Sequence, residues 1–162
     1  MLNDQQSWIL LVIGAVLATG GGVVTEWIKI YLDERRKKNA LKARLFVLVD
    51  KSVKSIKSLV ETYEESDPHL IHGAYLDKLK ATATLYDHVS EDLYLADQNL
   101  RDGIMDFFDK QNSLVSEVNE LVSASSGRAS KEAKELQSEH DRKISTFRSL
   151  KTDGEKLLTE LR

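Results

Sequence analysis

Over most of the chain apolar residues recur in alternating steps of three and four, the repeat of one helical face. From Leu41 onward, Phe46, Val49, Val53, Ile56, Val60 and Tyr63 keep this spacing, and Leu41, Leu45, Leu48 and Leu59 widen the stripe. They predict a helix with one buried face, stopped by Ser66, Asp67 and Pro68. Leu70, Tyr75, Leu76, Leu79, Leu85, Tyr86 and Val89, with Gly73 near the start, predict one or two short helices over 69–90. A less regular piece, 91–96, leads to Asp97, a suitable N-cap for a helix carrying Leu100, Ile104, Phe107, Phe108, Leu114, Val115, Val118 and Leu121 and ending near Ser123. The run SASSGRAS, 123–130, reads as a loop, with Ser130 capping a last helix that carries Ala133, Leu136, Ile144, Phe147, Leu150, Leu157, Leu158 and Leu161. Asp97, Gln111, His140 and Gly154 interrupt the stripes. Such positions fix register, mark a subunit interface or, most commonly, lie on a solvated flank.

One stretch breaks the periodicity by being apolar on every face. No Asp, Glu, Lys or Arg occurs between Gln5 and Thr25, and Trp8 to Val24 is apolar apart from one Thr and several Gly. Trp8 and Trp27 stand nineteen residues apart, a rise of roughly 28 Å in a helix, close to the ~30 Å hydrocarbon core of a bilayer. A transmembrane helix over 8–31 is expected, with Tyr31 joining Trp27 in an aromatic belt. The leader 1–7 carries Asp4 and no base, unlike a cleavable signal.

The bases Lys29, Arg35, Arg36, Lys37, Lys38, Lys42 and Arg44 crowd behind that segment against Asp33 and Glu34. A basic juxtamembrane segment, 29–44, retained on the inner side places the N-terminus outside and the remainder, 45–162, in the cytoplasm. The same bases suit an anionic headgroup surface. With no Pro or Gly between Thr25 and Tyr63, one stiff helix is expected to join span and cytoplasmic part. The fold class expected is all-α: an N-terminal transmembrane helix continuing into an elongated bundle of about four helices, up-and-down or coiled-coil-like. Within the span Gly14, Ala18 and Gly22 recur every four residues, a small-residue face on which a second helix can approach closely.

Composition narrows the chemistry. The chain has 162 residues, no Cys, one Pro, 30% charged residues and a formal charge of −3, which fits one modest domain and excludes disulfides, thiolate metal sites and a Cys nucleophile. Four His residues offer little for a metal cluster. His69 and His72 stand at helical spacing but without a third ligand or an HExxH pattern. No GxxxxGK[ST] or GxGxxG loop is present, so no metal, cofactor or catalytic group is expected. From Leu45 onward 16 bases face 22 acids, a balance that disfavours extended nucleic acid. The one anion-binding candidate is Ser126, Arg128, Ser130 and Lys131, which combine hydroxyls, cations and a helix start. Repeated around the axis of an oligomer, they suit a nucleotide-like polyanion.

The single N-terminal span, the basic collar and the pattern Tyr86, Asp87, Leu95, Ala96, Asp97, Leu100, Ile104, Phe107, Phe108 resemble a broad group of small bacterial membrane-anchored helical proteins. By architecture the layout also resembles the membrane effectors of type III CRISPR systems. That resemblance implies a cytoplasmic domain that binds a cyclic oligoadenylate and a membrane domain that disturbs the bilayer in antiviral defence. The chain departs from effectors that use a Rossmann-like sensor, for it has none. The function expected is therefore a single-pass, non-catalytic helical interaction module of the bacterial inner membrane. Its expected partners are the lipid bilayer and copies of itself, with a ligand-gated effector as the alternative.

Overall fold

A computed structural model describes the backbone at residues 4–65, 73–125 and 130–162. Side chains at 4–7, 9–13, 16–20, 65, 122–125 and 130–137 are outside the described set. Every regular element in it is helical: α1 (Asp4–Glu65), α2 (Gly73–Ser90), a 3-10 turn (Glu91–Leu95), α3 (Gln98–Ser125) and α4 (Ser130–Leu161). Two compact units divide the chain, Met1–Asn39 and Ala40–Arg162.

The second unit is an antiparallel bundle of four. Ser52 of α1 faces Thr82 of α2, Tyr86 of α2 stacks on Phe108 of α3, Glu117 of α3 pairs with Lys143 of α4, and Arg162, just past α4, lies over the Phe46 ring of α1. These pairings place α1 beside α2 and α4, and α3 likewise, so the helices run up, down, up, down. The expected stripes form the core: Leu45, Val49, Ile56, Ile104, Phe108, Val118 and Phe147 have no accessible surface. Tyr86 and Phe108 stack with centroids 4.2 Å apart, and Phe107 meets Phe108 edge-on at 5.2 Å.

Several sequence expectations shift. Over 73–90 there is a single helix, and Leu85, read as core, is 47% exposed. The irregular piece is a 3-10 turn whose Leu93 is buried and whose Leu93 carbonyl accepts from the Ala96 amide at 3.0 Å. Asp97 takes the N-cap place of α3, its carbonyl accepting the Arg101 amide at 2.9 Å. Helix α3 runs on to Ser125, and Ser130 is already helical rather than a cap outside the helix.

The larger correction concerns the polar interruptions. Gln111 and His140 are buried, and Gly154 is packed against α1 and α3, so none of the three lies on a solvated flank. Asp97 alone of the four is exposed. Leu70, His69, His72, Ser66 to Pro68, and the side chains of Ala133 and Leu136 lie outside the described residues.

Candidate functional site

In the first unit the described side chains from 21 to 39, and Trp8 before them, are all exposed. Among them are Val23, Val24, Trp27, Ile28, Ile30, Tyr31 and Leu32, with Trp27 at 72% and Trp8 at 71%. At about 100° per residue these seven cover an arc of roughly 200°, and Thr25, Glu26, Lys29 and Asp33 fill the other side. The bases, by contrast, are spread round the axis: Lys29 and Arg36 fall near one another, Lys38 opposite them, and Arg35 and Lys37 between. Residues 23–33 are thus two-sided, whereas the run from Trp8 to Val24 before them carries no charge on any side.

Two shallow hollows lie on this stretch. One is lined by Tyr31, Glu34, Arg35 and Lys38, the other by Lys29, Ile30, Leu32, Asp33 and Arg36. Lys37 pairs with Asp33 at 3.1 Å across one turn. Lys42 and Arg44 belong to the second unit, where Lys42 is half-buried and Arg44 reaches Asp92 at 3.8 Å. Among the described residues no helix is long and apolar enough to cross a membrane. The side chains at 9–13 and 16–20, most of the apolar run from Trp8 to Val24, are outside that set.

A side chain built at Gly14 or Gly22 would meet nothing within 4 Å. The Ala18 side chain between them is outside the described residues, as are Ser126 and Arg128 and the side chains of Ser130 and Lys131.

The bundle displays two features that the sequence did not announce. Between α3 and α4 lies a polar cleft of about 270 Å³ lined by Lys110, Ser113, Glu117, Lys143, Thr146, Ser149 and Asp153 among others. Glu117 accepts from both Lys143 and the Ser113 hydroxyl. These two hydrogen bonds, Lys143 first, hold its carboxyl below the ordinary 4.5. Lys110 is likewise held above 10.5, chiefly by its bond to Asp106. Both cations of this cleft are engaged, Lys143 by Glu117 within it and Lys110 by Asp106 beside it, which leaves a self-neutralised surface rather than an anion trap.

Between α1 and α2 lies the second feature, an apolar groove of about 550 Å³ lined by Ala43, Arg44, Val47, Leu48, Leu85, His88 and Val89. Leu85 follows Leu79 by six residues, off the 76, 79, 83, 86 line that faces the core, and that offset was the signal in the sequence. Among the described residues no group of three or more His, Cys, Asp or Glu gathers to hold a metal ion.

A buried polar cluster ties three helices together. The Ser52 hydroxyl donates to Thr82 Oγ1 at 3.0 Å. Gln111 Nε2 donates to the Leu79 carbonyl at 2.9 Å and to Thr82 Oγ1 at 3.2 Å, and Thr82 donates to the same carbonyl at 2.8 Å. Gln111 Oε1 is buried without a hydrogen-bond partner. The geometry is that of a register device rather than a reaction centre. Comparison of the chain with protein-family models, with curated proteins and with solved structures finds no match.

Proposed function

We propose that the chain is a single-pass membrane-anchored, non-catalytic interaction module, in which the first unit crosses a bacterial inner membrane and the bundle assembles with itself on the cytoplasmic side. The observation that carries this is the axial order of α1. A charge-free run from Gln5 to Thr25 is followed by exposed Trp27 and Tyr31, and then by bases on all sides of the helix. A run this long with no charge on any side of a helix needs a covering medium. The order from hydrocarbon-compatible to aromatic to cationic is that of a helix leaving a bilayer. The self-neutralised α3–α4 cleft supports interaction rather than catalysis.

The test is flotation of the full chain with vesicles of phosphatidylcholine and phosphatidylglycerol, followed by alkaline carbonate extraction. The expected result is co-flotation that survives carbonate. Replacing Leu11→Lys together with Val16→Lys, at about 2.5–3.5 kcal/mol each near a helix centre, is expected to abolish carbonate resistance while the bundle keeps its helical circular dichroism. A wild-type chain that carbonate strips from vesicles overturns the proposal.

A further inference from the structure

The surface of the bundle carries two ridges of the same spacing and opposite sign. On α1 the exposed Val47 is flanked by Arg44 three residues before it and Lys51 four residues after, both exposed. On α3 the exposed Met105 is flanked in the same way by Asp102 and Asp109. Residues at these separations are neighbours on one helical face. Val47 and Met105 are 48% and 44% exposed, with Leu85 at 47% beside Val47 in the groove.

The two ridges also match in direction and stand within about one turn of each other in height. In an up-down-up-down bundle α1 and α3 run the same way. Val53 and Phe107 both contact the Gly154 position and so mark one level. Counting back from that level, Val47 lies about 9 Å and Met105 about 3 Å toward the same end, an offset of roughly one turn.

We infer that Met105 of one copy docks into the α1–α2 groove over Val47 of the next, pairing Asp102 with Arg44 and Asp109 with Lys51, so that copies with parallel axes join head to tail. This deepens the self-assembly part of the function proposed above and rests on it, because anchoring in one membrane is what holds the axes parallel. Arg44 already reaches Asp92, and Asp102 lies 3.8 Å from Arg101. Both are exposed pairs that exchange readily for intermolecular ones. Helices α1 and α3 occupy diagonal corners, so the patch offered and the patch received differ. Such a contact closes as a ring or extends as a filament.

The absence of cysteine makes the test direct. The full chain carrying Val47→Cys and Met105→Cys, reconstituted in phosphatidylcholine–phosphatidylglycerol vesicles and mildly oxidised, is expected to give a ladder of dimers, trimers and higher forms. Each single variant is expected to give none, and a mixture of the two singles to give dimers. Lys51→Glu should remove most of the ladder, and adding Asp109→Lys should restore it. Dimers from either single variant alone would show a two-fold contact and overturn the head-to-tail arrangement. Uncross-linked mass separates the remaining failures. An oligomer without a ladder assembles through another face, which overturns this inference alone, whereas a monomer overturns self-assembly as well.

Discussion

A Cβ placed on Gly154 would lie 2.5 Å from Cγ2 of Val53 and 2.8 Å from Cε2 of Phe107. Helix α4 therefore approaches α1 and α3 where it has no side chain. Gly154→Ala gains about 1 kcal/mol of helix propensity but drives a methyl into a β-branched side chain and an aromatic ring, neither of which turns aside easily. Overpacking of this kind costs about 1–3 kcal/mol, and a net loss of stability is expected in urea unfolding. Gly103→Ala meets only the end of the Leu157 side chain, at 3.1 Å, a methyl that can rotate. It is expected to be neutral or stabilising by up to about 1 kcal/mol.

The Gln111 cluster separates packing from hydrogen bonding. Gln111→Ala removes two donated bonds and opens a cavity, and a loss of about 2–4 kcal/mol is expected. Gln111→Met fills the space and removes the unpartnered Oε1, so stability should stay within about 1 kcal/mol of wild type. Urea midpoints of the two variants compared with wild type check this. Equal losses would mean that the amide itself holds the bundle.

Burial, with smaller effects from Asp109 and Asp87, raises the Tyr86 hydroxyl above its ordinary 10.0. A group whose folded value is raised stabilises fully below the unfolded value and loses that contribution as pH climbs through the folded one. Thermal stability is thus expected to fall from about pH 10 upward, and Tyr86→Phe should flatten that fall. An unchanged alkaline profile in Tyr86→Phe would assign the loss to other groups.

Glu117 shows the opposite sign. Its depressed carboxyl favours the folded state above the ordinary 4.5 and ceases to do so as pH falls through the folded value. The pair with Lys143 is only partly buried and keeps Glu117 in contact with solvent, so Lys143→Met is expected to change stability by about 1 kcal/mol or less. It should still move the Glu117 titration upward in an NMR pH series. A Glu117 titration that stays put would mean the ion pair is not formed in solution.

How far the sequence could be read depended on whether a residue's role is carried by hydrophobicity. Val49, Val53, Ile56, Ile144, Phe147 and Leu150 announce themselves because each apolar side chain adds to one face. Gly154 makes the close approach of α4 possible by having nothing to add, and a stripe-based reading sees it as a gap. Ser52, Thr82 and Gln111 are polar at buried positions, and their partners sit 29–32 residues away, so only the assembled bundle reveals them as a set. The charge-free run and the basic collar were legible at once, since they depend on order along the chain alone. The complementary ridges around Val47 and Met105 were present in the letters too. Recognising them needed the parallel direction of α1 and α3, which single-helix periodicity does not contain.

Arg162 rests over Phe46 at 6.0 Å, so the bundle's chain leaves beside the point where it began. Joining Arg162 to Ala40 would then take only a short linker, and new termini opened between Ser125 and Ser130 would sit at the opposite pole. The bundle is in this sense a nearly closed loop of helices, suited to circular permutation. Whatever is attached to its last residue will share a pole with α1's first bundle residues, leaving the pole of Glu65, Gly73, Ser125 and Ser130 clear.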